Sequence, residues 1–137
     1  MRTVFVDSVY WIAVVQKADQ HREAALAAGD EIGRVRAVTT EEVLVEVFSS
    51  LCRAPQTIRR AAVELVRGLM KDPNVTVIPQ SHQSFLAGLA LYKKRLDQGY
   101  SLVDCISMAS MRRARLRDVL TTDRHFAREG FRPLIRA

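Results

Sequence analysis

The chain opens on a short β-branched and aromatic run, Thr3-Val4-Phe5-Val6, that stops at Asp7, which predicts a buried strand. The period then changes. Val9, Ile12 and Ala13 share one face of a helix expected over 9–17, and an Ala-rich helix is expected over 20–28, closed by Gly29. Residues 35–38 (Val-Arg-Ala-Val) read as a second strand. Thr39 and Glu42 then stand at capping-box spacing, ahead of Val43, Leu44, Val47, Phe48 and Leu51 at helical period. Pro55 opens a further helix to about Met70. A third strand is expected at 75–78, stopped by Pro79, and a helix over 82–97, ended by Gly99. Ser101 and Asp104 repeat the capping-box spacing before a helix to about Ala114. Val119-Leu120-Thr121 forms a fourth strand, residues 124–128 a short helix, and Arg132-Pro133-Leu134-Ile135 an edge strand, where a proline is tolerated.

Strands alternating with helices imply an α/β domain around a short, mainly parallel sheet. At 137 residues the chain has the size of a single domain, taken as 1–137, and no repeat or linker interrupts it. Apolar residues make up 48%, which excludes a disordered chain. Lys plus Arg exceeds Asp plus Glu by 21 − 15 = 6, a basic surplus that suits a polyanionic partner. Cys52 and Cys105 each fall in an apolar helical pattern and are expected to be buried thiols. With His21, His82 and His125 they make no zinc-ligand spacing. No apolar stretch is long enough to span a bilayer, and the first residues do not read as a signal peptide, so a soluble, cytoplasmic protein is expected.

The acids carry the chemistry. Asp7 ends the first strand and Asp123 follows the fourth, and in an open parallel sheet ligands gather beyond the carboxyl ends of strands. Asp104 lies in the first turn of its helix, and Glu46 one turn beyond the Thr39 cap. Each has an ordinary structural alternative: Asp7 and Asp123 as helix N-caps, Asp104 as the partner of Ser101, Glu46 as a solvated flank. Glu42 lies on the same side of its helix as Glu46, and periodicity does not choose between them; the expected capping box occupies Glu42 and leaves Glu46 as the better candidate. Clustered carboxylates repel one another, a cost that a hard divalent cation removes.

Four passages together resemble the PIN-domain ribonucleases, most closely the VapC-type toxins of bacterial toxin–antitoxin pairs. They are Val4-Phe5-Val6-Asp7-Ser8; Thr39 to Glu46; Ser101-Leu102-Val103-Asp104-Cys105; and Leu120-Thr121-Thr122-Asp123-Arg124-His125-Phe126. The resemblance spans essentially the whole chain. It implies a three-layer α/β/α PIN-like fold and a Mg²⁺-dependent endoribonuclease, with Mn²⁺ as substitute. It assigns Asp7, Glu46, Asp104 and Asp123 as the metal-binding, catalytic acids, with Ser101 and Thr121 in support. It also implies an RNA substrate, a small antitoxin partner and a homodimer. His125 is expected to serve packing or turn chemistry. Val9 departs from the family's pattern, which often has a small polar residue there, so a bond supporting Asp7 is expected to be missing. A housekeeping RNA-processing nuclease and a non-cleaving RNA- or protein-binding module are the alternatives.

Arg112, Arg113, Arg115, Arg117, Arg124, Arg128, Arg132 and Arg136 crowd the last quarter of the chain, where they suit either phosphate contacts or the negative end of a helix dipole. Tyr10 and Trp11 sit together on the first helix, as core or as the wall of a groove for a partner helix.

Overall fold

The computed structural model describes residues 1–136. Five parallel strands form one sheet: β1 (Thr3–Val6), β2 (Arg36–Thr40), β3 (Val75–Ile78), β4 (Asp118–Leu120) and β5 (Arg132–Pro133), in the order β3-β2-β1-β4-β5. The sheet is wholly parallel rather than mainly so. Seven helices connect the strands: α1 (Ser8–Val15), α2 (Arg22–Ile32), α3 (Glu41–Ser50), α4 (Gln56–Lys71), α5 (His82–Lys94), α6 (Leu102–Arg113) and α7 (His125–Arg128). The chain steps outward from β1 to β3, then returns across the sheet to β4 and β5. Right-handed crossovers therefore put the first four helices on one face and the last three on the other. The order reverses between β1 and β4, so the carboxyl ends of these two strands open the crevice.

Val4, Phe5, Val6 and Val119 are buried, as central parallel strands covered on both faces must be. They join Val43, Val47, Cys105, Met108, Met111 and Phe126 in one core. Gly88 of α5 lies so close to α6 that a Cβ there would meet Ile106 Cγ1. Glycine is what allows these two helices to pack at this distance.

Several boundaries differ from the sequence reading. Gly29 does not end α2, which runs on to Ile32; Gly33, at φ +66°, ends it. Gly29 instead packs against Tyr10: a Cβ there would lie 2.8 Å from the Tyr10 hydroxyl, which would have to shift. The expected Thr39–Glu42 capping box is not formed. Thr39 belongs to β2 and donates its hydroxyl to Val6 O at 2.9 Å, while Thr40 is the cap and accepts from Val43 N at 3.0 Å. One more strand residue shifts the helix start by one position. Cys105 is buried as expected, but Cys52 is exposed, in the turn that follows α3. Pro133 sits on the edge strand, and its missing N–H costs nothing: Arg132 and Leu134 supply the bonds to β4.

Among the described residues, no helix is long and apolar enough to cross a membrane. Trp11 is buried and Tyr10 half-buried, their rings edge-on at 5.4 Å, so this pair is core rather than an open groove.

Candidate active site

Strand β1 is followed at once by Asp7, whose extended backbone makes it the N-cap of α1. Its Oδ1 accepts from Ser8 N at 2.9 Å and its Oδ2 from the Thr121 hydroxyl at 2.8 Å. Capping and site chemistry thus coexist in one side chain, on different oxygens. Val9 packs against the core and offers Asp7 no side-chain donor; the side-chain hydrogen bond to Asp7 comes from Thr121, at the carboxyl end of β4. Thr121 also accepts from Asp123 N at 3.1 Å, so one buried hydroxyl ties together the two strand-end acids.

Asp104 occupies the third position of α6 and completes a capping box: its Oδ2 accepts from Ser101 N at 3.2 Å, and Ser101 Oγ accepts from Asp104 N at 3.0 Å. This box fixes the Asp104 rotamer and leaves its other oxygen for the crevice. Asp123 accepts from His125 N at 2.9 Å through Oδ1, which also lies 3.2 Å from His125 Nδ1. Asp104, Asp123 and His125 offer one donor atom each within 4.8 Å of one another, all three half-buried.

Glu46, on the second turn of α3, accepts a 2.5 Å hydrogen bond from the Ser8 hydroxyl. Glu42 turns elsewhere and accepts from Ser84 Oγ at 3.3 Å. Of the two helix acids, Glu46 is the one bonded beside Asp7, and its charge acts on both Asp7 and Asp104. The reason differs from the sequence argument, since the cap that was to occupy Glu42 belongs to Thr40.

The electrostatics show the acids acting on one another. Burial pushes the Asp7 carboxyl up to about 7; bonds from Thr121 and Ser8 oppose the rise, and the charges of Asp104 and Glu46 add to it. Asp104 is likewise raised by burial and by the charges of Asp123 and Glu46, against the bonds from Ser101. Burial and mutual repulsion penalise the charged forms of Asp7 and Asp104, a cost that a bound cation would offset. A donor set of carboxylates with one imidazole suits a hard or borderline divalent cation, so Mg²⁺ or Mn²⁺ fits these residues.

Two contributors were not assigned from the sequence. Ser8 bridges two acids, its backbone N–H donating to the Asp7 carboxylate and its hydroxyl to Glu46. His125 faces the Asp104–Asp123 pair rather than only packing, and its ring lies 5.0 Å from that of Tyr100. A His two residues after a strand-end acid was the available signal; the bend that turns it back appears only in three dimensions. Behind Tyr100 stands Glu129, nearly buried. Burial opposes its charge, but bonds from Arg95 (2.8 Å), Arg112 (2.8 Å) and Tyr100 (2.9 Å) outweigh that and hold the carboxyl down near 2. Arg112 also lies 5.3 Å over the Phe131 ring. This arginine of the C-terminal cluster is thus structural.

The PIN domain family model matches residues 4–131. The solved structure of VapC20 from Mycobacterium tuberculosis, described as a Sarcin-Ricin loop cleaving toxin, superposes with a TM-score of 0.83 at 22% identity, covering 97% of this chain and 99% of that one. A toxin–antitoxin complex from Klebsiella pneumoniae matches with a TM-score of 0.61 at 16% identity, covering 88% and 87%. At such identities the two structures establish a common fold. Sequence comparison with curated proteins finds no match.

Proposed function

The chain belongs to the PIN domain family, and from that premise we propose that it is a Mg²⁺- or Mn²⁺-dependent endoribonuclease, one domain over 1–137, acting in the cytoplasm as the toxin of a toxin–antitoxin pair. The observation that carries this reading is the convergence of Asp104, Asp123 and His125 within 4.8 Å, beside the buried Asp7 carboxyl, which the charges of Asp104 and Glu46 also face.

Asp7, Asp104 and Asp123 hold the cation, with His125 as a further donor, and Glu46 completes the cluster. When bound, the cation supplies Lewis acidity toward a phosphodiester and lowers the pKa of water. The protein's own part is orientation. Thr121 fixes the Asp7 carboxylate, Ser101 fixes Asp104, and Ser8 holds Glu46 where it can position a water molecule. Cleavage is then direct hydrolysis of the RNA backbone, with no covalent enzyme intermediate.

Two protein partners follow from the same reading. The Klebsiella pneumoniae neighbour is a toxin–antitoxin complex, which supports a small antitoxin here. On α5 and in the turn just past it, Phe85, Leu89, Tyr92 and Leu96 recur every three or four residues, and all are exposed. One apolar stripe of this kind suits a second copy of the chain in a two-fold dimer.

The test is cleavage of defined RNAs by purified protein with Mg²⁺ or Mn²⁺, beginning with a sarcin-ricin loop oligonucleotide. Cleavage that needs the cation and is lost in Asp104→Asn is the expected result. Equal behaviour of wild type, Asp104→Asn and chelated protein would overturn the reading.

A further inference from the structure

A second cleft, of about 430 Å³, runs between α2 and the edge strand β5. Arg2, Arg124, Arg132 and Arg136 line it, with Glu31 as the acid on its wall. Arg2 and Arg132 share a single carboxylate: Asp118 lies 2.7 Å from Arg2 Nη2 and 2.8 Å from Arg132 Nε. Among the described residues, Arg124 and Arg136 have no ion-pair partner, and both are exposed. The cleft therefore keeps a positive surplus after Asp118 and Glu31 are counted.

The cleft is aligned with the acidic crevice. Arg132 pairs with Asp118 at the start of β4, and the parallel chain then climbs until Ile135 N donates to Thr121 O at 3.2 Å. Thr121 is the residue whose hydroxyl holds Asp7. Arg136 thus stands at the end of the cleft nearest the crevice, and Arg124 follows Asp123 directly. From Arg132 to Arg136 extended chain covers up to about 13 Å.

The edge itself excludes one class of occupant. A peptide adding a strand needs free backbone donors. Arg132 N donates to Arg117 O, Leu134 N to Val119 O and Ile135 N to Thr121 O, while Pro133 has no N–H. From 132 to 135 no donor remains for an added strand. What the cleft offers is guanidinium forks, whose geometry matches phosphate, and no aromatic side chain on which a base could stack.

We infer that this cleft is a phosphate track that holds the RNA backbone flanking the scissile bond, leading it from the acidic crevice along β5. The inference rests on the nuclease reading above and adds a site to it. The contacts are to backbone, so they add affinity for longer RNA without base preference.

The test measures anisotropy of a fluorescein-labelled 12-nucleotide oligouridylate in an Asp7→Asn background, which binds without cutting. The variant Arg124→Gln/Arg136→Gln should bind about tenfold more weakly at 50 mM salt. Its log K against log salt slope should be shallower by about 1.4, or about 0.7 per lost phosphate contact. A labelled trinucleotide should bind both proteins equally, and Arg124→Lys/Arg136→Lys should keep most of the affinity. Arg59→Gln/Arg60→Gln, on α4, should change nothing. Binding of the 12-mer within twofold of the parent, with an unchanged slope, would overturn the track. So would displacement of the RNA by polyglutamate as effectively as by unlabelled RNA of equal charge. Cleavage separates the two ideas. With Asp7 restored, if cleavage depends on Asp7 while the Gln variant binds and cuts long RNA like wild type, the track fails alone. If the Gln variant loses binding but no preparation cuts RNA, the nuclease reading fails and the cleft remains an RNA-backbone site without a scissile bond.

Discussion

The Thr121 hydroxyl donates to Asp7 Oδ2 at 2.8 Å across 114 positions of sequence, and the same oxygen accepts from Asp123 N at 3.1 Å. A single side chain at the end of β4 therefore sets the orientation of one acid and the backbone position of another. Thr121→Val keeps the shape and removes the hydroxyl. Cleavage should fall about 10- to 100-fold, with weakened cation affinity, and Thr121→Ser should restore most of both. Turnover as a function of Mn²⁺ concentration is the measurement.

Asp7 should make the cation-free protein less stable as pH rises. Its folded pKa, about 7, lies above the ordinary 3.8, so between these values the folded state binds the proton and the unfolded state does not. Stability attributable to this group is full below pH 3.8 and is lost as pH rises through about 7. Asp7→Asn removes that loss. In EDTA at pH 8 the variant should melt higher than wild type by roughly 5 °C, and at pH 4 the difference should vanish. Equal melting temperatures at pH 8 would mean that Asp7 carries no burial cost.

Glu129 has the opposite sign. Its folded pKa, near 2, lies below the ordinary 4.5, so its contribution is full above pH 4.5 and disappears as pH falls through 2. Glu129→Gln should lower the melting temperature at pH 7 and flatten the acid limb of the stability curve. It also loosens Arg95, Arg112 and Tyr100 together, so His125 loses the ring that packs against it. Urea melts from pH 2 to 7 give both quantities.

Cation binding should raise the melting temperature, because the folded state gathers the donors and the unfolded chain does not. Millimolar Mn²⁺ or Mg²⁺ should stabilise wild type, and EDTA should reverse it. Asp104→Asn should abolish the shift. His125→Ala should reduce the Mn²⁺ shift more than the Mg²⁺ shift, since imidazole suits the transition metal better.

The α5 stripe should control assembly. Leu89→Glu/Leu96→Glu places charge where Leu89 and Leu96 are 43% and 71% exposed, so the fold should survive. Sedimentation velocity should then show a dimer for wild type and a monomer for the variant. A wild-type monomer at micromolar concentration would remove the dimer from the proposal.

Much of this protein was legible in one dimension, and the reasons are physical. Val4-Phe5-Val6 had no polar alternation, as a strand covered on both faces requires, and Ser101-x-x-Asp104 announced its helix through the chemistry of the cap. The errors were of another kind. Thr39 and Thr40 are chemically alike, and which one caps depends on how far β2 pairs with β3: Thr40 is still in register with Ile78. Gly29 looked like a helix end, yet it is a point of contact with Tyr10, 19 residues earlier. Cys52 followed the apolar period of α3 but lies just past its end.

The four acids belong to the same division. Their sequence positions, at strand ends and helix starts, together with the family-like spacing, singled out Asp7, Glu46, Asp104 and Asp123 as candidates. The strand order then set β4 against β1, which delivered the Thr121 hydroxyl to Asp7 and brought Asp123 beside Asp104. The choice of Glu46 over Glu42, the turn of His125 toward the carboxylates and the row of arginines along β5 were likewise decided by tertiary structure. Sequence records which groups follow which strand, because local periodicity and capping act within a few residues. Which groups meet is decided by sheet register and helix packing, which join residues that the chain holds far apart.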